Sequence, residues 1–277
     1  MTPRIGIRRE DKSKWERRVP LIPEHVNQLR ENHDIQVWLQ PSEIRVFPDQ
    51  AYHDVGARIE EDLSPCQVVF AVKEIPADFF DPGHTYIFFA HVIKGQPYNM
   101  SMLQSLLDKG CQLIDYEKVT DEQGRRLIFF GHHAGLAGMI DTLWALGRRL
   151  ACEGITNPFS YLKQTHKYDD LDQAKAAISV VGDRIARQGL PRPIMPLICG
   201  FAGYGNVFGG ANEIIDLLPV VEIEPSQVAE VAQSSTARDT VYKVVFKEDH
   251  TVEPRSREKS FELQDYYDHP EKYRSKF

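Results

Sequence analysis

MPLICGFAGYGNVFGGANEIIDLL, residues 195–218, decides the fold. A short apolar run ends in Gly200, five glycines fall within eleven residues (Gly200, Gly203, Gly205, Gly209 and Gly210), and a helical pattern starts at Ala211. Strand, glycine loop and helix follow in the order that lets the pyrophosphate of a dinucleotide lie on bare backbone N–H groups at a helix N-terminus. The missing Cβ atoms permit the tight turn and the close approach. The spacing departs from the usual fingerprint, because after Gly203-Tyr204-Gly205 a third glycine is due at 208, where Phe208 stands. Downstream, PVVEIEP makes a second strand with Glu222 and Glu224. They lie some 20 residues past the loop, about where a carboxylate would meet the adenosine ribose, and Glu224 fits that spacing better. TVYKVVFKED makes a third strand. A doubly wound nucleotide domain has about six strands, so this second sheet is expected to be incomplete, with an edge that a homo-oligomer or a separate chain would cover.

Upstream, strands and helices alternate. RIGIR at residues 4–8 is a short strand, and in PLIPEHVNQLREN Pro23 suits a first helical turn, with Leu21, Val26 and Leu29 on one face. IQVWLQP, QVVFAVKEIP, GHTYIFFAHVIKGQ and CQLIDYEKV read as strands, the apolar runs being typical of strands buried on both faces of a parallel sheet. Helices are expected around Asp49 to Val55 and over NMSMLQSLLDKG, and RRLIFFG after the Glu122-Gln123-Gly124 turn is expected to be another short strand. From Gly131 a long helix runs to Gly154, and LDQAKAAISVVGDRIARQG forms the next one. This alternation predicts an α/β protein of two Rossmann-like open parallel sheets, with ligand crevices at the carboxyl ends of the strands. The domains are expected at residues 1–135 and 136–277.

The 277 residues are 42% hydrophobic and 26% charged, the composition of a globular protein. A net charge of −7 and no basic run with interleaved aromatics argue against a nucleic-acid groove. No apolar run is long enough for a membrane span and no apolar signal segment opens the chain, so a soluble cytoplasmic or mitochondrial-matrix protein is expected. Cys66, Cys111, Cys152 and Cys199 show no paired spacing and are expected to be reduced and buried. His132, His133 and His166 lack a third metal ligand at useful spacing, and no metal is expected.

Three charged segments stand beside strand ends or helix starts: WERRVP at 15–20, VKEIP at 72–76 and FAHVIK at 89–94. The order ERRVP, AVKEIP, FFAHVIKGQ, LIDYEKV, DEQGRR, FFGHHAGLAGMI, GYGNVFGGA resembles the lysine-2-oxoglutarate reductase part of bifunctional aminoadipic semialdehyde synthases. More broadly it is similar to the lysine-forming saccharopine dehydrogenases and the alanine dehydrogenase and transhydrogenase superfamily. The resemblance runs over essentially the whole chain. It implies an oxidoreductase that forms or cleaves saccharopine, from lysine and 2-oxoglutarate, by nicotinamide hydride transfer. It assigns Lys73 and His91 as the acid–base pair, Arg18 as a substrate arginine, and Glu74 and Glu117 as acids near the pair. Arg126 and Lys94 are further cations for the substrate carboxylates. Gly203, Gly205, Asn206, Val207, Gly210 and Glu224 are the expected cofactor residues. A carboxylate at 222 or 224 would favour NAD by repelling a 2′-phosphate, whereas the bifunctional reductases point to NADP. Two further outcomes stay open: a truncated, non-catalytic binding or regulatory homologue, and an alanine dehydrogenase-like enzyme for a smaller amino acid.

Overall fold

The computed structural model describes residues 2–256 and 258–276. The chain divides into two compact units, one up to Phe129 and the other from Phe130. The boundary falls before the long helix rather than within it, where residues 135 and 136 would have cut.

In the first unit the strands are β1 (Arg4–Ile7), β2 (Gln36–Leu39), β3 (Arg58–Ile59), β4 (Val68–Phe70), β5 (Thr85–Phe88) and β6 (Gln112–Asp115). Helices α1 (Pro23–His33), α2 (Asp49–Asp54) and α3 (Met100–Asp108) join them, with Pro23 in the first turn of α1, where its missing N–H costs nothing. All six strands are parallel in the order β3-β2-β1-β4-β5-β6. Alternate residues enter different apolar clusters: Trp38 packs with Val69, Phe80 and Phe88, while its neighbours Val37 and Leu39 pack with Ile7, Val26 and Tyr52. RRLIFFG is not a strand. Among the described residues it forms a single bridge, Arg126 with Thr120, beside a Leu127 N–H bond to the Val119 carbonyl, and Leu127, Phe129 and Phe130 are exposed.

The second unit holds α4 (Gly131–Cys152), α5 (Leu171–Gln188), β7 (Leu197–Ala202), α6 (Asn206–Ile215), β8 (Val220–Glu222), α7 (Val228–Ser234) and β9 (Val241–Phe246). Beyond these come α8 (Glu248–Thr251), β10 (Val252–Pro254), α9 (Leu263–Asp268) and β11 (Tyr273–Ser275), β10 and β11 forming an antiparallel ribbon. The parallel sheet has the order β7-β9-β8, so the third strand lies between the first and second. No helix among the described residues is long and apolar enough to cross a membrane. Cys66 is buried, but Cys152, the last residue of α4, is exposed, and Cys111 and Cys199 are half-buried: a residue at a helix end reaches past the core that buries the helix middle.

Helix α6 starts at Asn206, five residues before the pattern placed it, and takes in Gly209 and Gly210. Helical glycines are normally avoided, but here Gly210, with Gly135 of α4, lets two backbones touch. A Cβ on Gly210 would lie 1.9 Å from the carbonyl oxygen of His132, and one on Gly135 would lie 1.9 Å from that of Val207. The reciprocal contact locks α4 to α6. Gly138, on the same helix, has nothing within 4 Å of the equivalent position. Urea unfolding should therefore show Gly210→Ala losing ~3 kcal/mol through overpacking, whereas Gly138→Ala should be neutral or gain up to ~1 kcal/mol from helix propensity.

Candidate functional site

The strand order of the first unit reverses between β1 and β4, and at such a switch point the connections diverge and leave a crevice at the carboxyl ends. The residues just past those ends are Arg8-Arg9-Glu10 after β1, Ala71-Val72-Lys73-Glu74 after β4, and Phe89-Ala90-His91 after β5. The buried Glu10 bridges the switch point. One of its carboxylate oxygens accepts the Val72 N–H at 2.7 Å and the other the Lys73 N–H at 2.9 Å, fixing the backbone that carries Lys73. Burial pushes the Glu10 pKa up, and the two amide donors only partly offset it.

Glu74 is the hub. Its side chain is 8% exposed, and Oε1 lies 2.6 Å from Lys12 Nζ and 2.9 Å from His91 Nδ1. Asn99 Nδ2 donates to the same oxygen at 3.4 Å and to the carbonyls of Ala90 and His91 at 3.1 and 3.2 Å. Burial alone would raise the Glu74 pKa, but hydrogen bonds from Lys12, the backbone and His91 outweigh it and hold the carboxyl at about 2. An ionised carboxylate can only accept, so Nδ1 of His91 carries the proton and Nε2 is the edge left for proton transfer. The His91 backbone sits in the left-handed region at φ 50°. Such strain costs on the order of 1–3 kcal/mol and persists where surrounding contacts dictate the conformation, here Glu74 and Asn99. The imidazole also stacks on Phe89, 6.1 Å between centroids and 15° between planes, and Phe89 meets Tyr116 edge-on. Burial, then the nearby Glu10, push the Tyr116 hydroxyl far above its ordinary range.

Lys73 makes no side-chain hydrogen bond or ion pair among the described residues, and its charge helps lower the Glu16 pKa, so the two lie near one another. Arg18 is already engaged: its Nε and Nη2 donate to Glu16 at 2.7 and 2.6 Å. Lys12, Glu74, Tyr98 and Asn99 line a cavity of about 510 Å³. Glu117 and Arg126 form a separate pair at 3.4 Å, and Lys94 is exposed on the turn after β5. No contact among the described residues ties these three to the Glu74 hub. Sequence reasoning passed over Lys12, Glu10 and Asn99. Glu10 and Lys12 stand just past the end of β1, the same mark that singled out the other charged segments, whereas Asn99 gave no local sign.

In the second unit Gly203 has φ 104° with nothing within 4 Å of its missing Cβ, Gly205 is equally open, and Asn206 begins α6. An open left-handed glycine before a helix start is a fit for a pyrophosphate. The Val207 side chain is exposed beside it. Two expectations need correction. Gly210 faces α4 and cannot cradle a phosphate, because its α-carbon is pressed on the His132 carbonyl. Glu224 lies past β8, which β9 separates from the glycine-loop strand; the spacing argument assumed that β8 and β7 were neighbours. Glu222 lies 3.1 Å from the buried Lys243. Histidine 132 meets Glu213 at 3.0 Å.

The family Alanine dehydrogenase/PNT, N-terminal domain, matches residues 6–137. Over 99% of its length the chain is 39% identical to the alpha-aminoadipic semialdehyde synthase of Arabidopsis thaliana, of which it covers 27%. It is 29% identical to the saccharopine dehydrogenase [NAD(+), L-lysine-forming] of Yarrowia lipolytica, over 66% of this chain and 51% of that one. An L-alanine dehydrogenase structure superposes on 88% of this chain and 60% of its own, with a TM-score of 0.55 at 19% identity, a likeness of fold. The chain thus spans a little over a quarter of the semialdehyde synthase it matches. In the first unit, the Glu74 carboxylate contributes stability above its ordinary pKa of 4.5, and that contribution is lost as pH falls toward about 2. Thermal unfolding of the native chain and Glu74→Gln should show a midpoint gap that is full above pH 4.5 and closes as pH approaches 2.

Proposed function

We propose that the chain is an amino-acid dehydrogenase-type oxidoreductase of the saccharopine branch, joining lysine to 2-oxoglutarate or cleaving the product. The observation that carries this is the ionised Glu74 holding His91 by Nδ1, next to Lys73, which makes no ion pair among the described residues, at the switch point of the first sheet, in a chain similar to a dehydrogenase named for NAD(+). Forming saccharopine requires the ε-amine of lysine to attack the keto carbon, the carbinolamine to lose water, and the resulting imine to be reduced. Each of the first two steps moves a proton. His91 Nε2 takes the proton from the attacking ammonium and returns one to the departing hydroxyl, while Glu74 stabilises the imidazolium that forms between them. Lys73 supplies a cation toward the keto oxygen as negative charge develops there. Arg18 and Lys12 offer cationic edges to the substrate carboxylates, Arg18 in competition with Glu16. Gly203, Gly205 and the start of α6 would hold the pyrophosphate of NAD or NADP, whose nicotinamide supplies the hydride.

Saccharopine, or lysine with 2-oxoglutarate, should change the nicotinamide absorbance of the purified chain with one or both cofactors. His91→Asn and Lys73→Met should each lower the rate by ~100-fold or more. Flat traces with both cofactors from folded protein would overturn the activity. Glu224→Ala should leave the NAD-to-NADP preference unchanged, because a strand lies between it and the glycine loop; a reversed preference would restore the ribose role.

A further inference from the structure

Among the described residues β7 is an edge strand that pairs with β9 alone. The Gly203 N–H donates to the Phe246 carbonyl at 2.9 Å, so the glycine loop starts against the last residue of β9. Helix α6 leaves that loop and carries the chain to β8, which lies on the same side of β7 as β9. In a doubly wound sheet the carboxylate that meets the adenosine ribose stands at the end of the strand adjacent to the glycine-loop strand, on the side to which this helix crosses. The adjacent place is held here by β9, with β8 one strand further out. The ribose acid is therefore due past β9 rather than past β8.

Two residues past the end of β9 stands Glu248, half-buried. Its Oε2 accepts the hydroxyl of Tyr204, the residue between Gly203 and Gly205, at 3.2 Å. The carboxylate thus lies one tyrosine side chain away from the backbone that fits a pyrophosphate. Its Oε1 accepts the Tyr267 hydroxyl of α9 at 2.6 Å, a shorter bond that orients the group. The Tyr267 bond first, then a backbone amide and Tyr204, hold the Glu248 carboxyl below its ordinary range, so it is ionised at neutral pH. An ionised carboxylate has about four lone-pair sites, and two phenols leave room for further donors. Tyr204 is the looser of the two partners, being 48% exposed and bonded at more than the usual O–H···O distance. Beside Glu248, Lys247 is exposed with its Nζ 5.9 Å from the Tyr204 ring centroid, Asp249 is exposed, and His250 Nδ1 accepts the Lys247 N–H.

We propose that Glu248 is the acid that accepts the adenosine ribose hydroxyls of the dinucleotide and governs the choice between NAD and NADP at this loop. The assignment rests on the reading of Gly203, Gly205 and the start of α6 as a pyrophosphate cradle. The two hydroxyls of an unmodified ribose are donors, and each forms a charge-assisted bond to an anchored carboxylate. A 2′-phosphate replaces one donor by negative charge facing negative charge. Removing the charge of Glu248 therefore costs affinity for NAD and relieves a repulsion against NADP.

Isothermal titration of the full chain with NAD, NADP and ADP tests this, ADP carrying the adenosine ribose and a diphosphate but no nicotinamide. Glu248→Gln should weaken NAD and ADP by a similar factor, about tenfold, and raise the ratio of NADP to NAD affinity by at least as much, with an unchanged circular dichroism spectrum. Asp249→Asn, which removes an exposed charge one residue away, should leave the ratio where it is. An unmoved ratio in Glu248→Gln, an equal shift in Asp249→Asn, or weakened NAD with unweakened ADP would overturn the assignment while the dinucleotide reading stands. No binding of any of the three to the folded native chain would overturn both.

Discussion

One buried carboxylate, Glu74, organises the carboxyl end of the first sheet. Four segments distant in sequence meet through it: the loop after β1 by Lys12, the end of β4 by its own backbone, the turn after β5 by His91, and the start of α3 by Asn99. Its Oε2 is buried without a partner among the described residues, so the charge is balanced from one side only. That asymmetry explains how His91 can be kept at a positive φ. Releasing the ring would leave the carboxylate short of a donor in a desolvated place, a cost of the same order as the backbone strain.

Glu10 does the complementary work one strand away. Past Phe70 the ladder with β5 continues, the Ala71 N–H donating to the Ile87 carbonyl at 3.0 Å and the Val72 carbonyl accepting from Phe89 at 3.1 Å, but the Val72 and Lys73 amides find their acceptors in Glu10. A side-chain carboxylate thus accepts two backbone donors that would otherwise be unsatisfied. The Lys73 backbone is thereby held by an acid that the chain contributes from 63 residues upstream. The backbone beneath Lys73 is thereby fixed, while its amine makes no hydrogen bond or ion pair among the described residues.

Much of the architecture was legible because it is local. Alternating apolar periods gave strands and helices, and charges after strand ends gave the neighbourhood of Lys73, Glu74 and His91. What escaped is non-local. Gly209 and Gly210 read as loop because glycine is a poor helix former, yet at Gly210 the touch between α4 and α6 makes it the residue that fits. RRLIFFG has the composition of a strand, but composition does not provide a neighbour to pair with. Asn99 carries no periodic or charge signal, and its role depends on three acceptors brought together by folding. Strand order is likewise invisible to spacing, and it was strand order that moved Glu224 away from the loop.

The position of β9 has its own physical requirement. A lysine on the middle strand of a sheet is costly to bury, and Lys243 is only 6% exposed. Its ammonium lies 2.8 Å from Asn212 Oδ1 and 2.9 Å from Asp216 Oδ1 on the α6 side, and 3.1 Å from Glu222 Oε2 at the end of β8. Three oxygens from two flanking elements compensate one charge, which ties β8 and α6 to β9. Removing any one of them would leave a desolvated ammonium less well matched. Glu222 is thus committed to the sheet. A carboxylate at the end of a second strand, which in isolation reads as a ribose ligand, is here part of what lets the third strand occupy the centre.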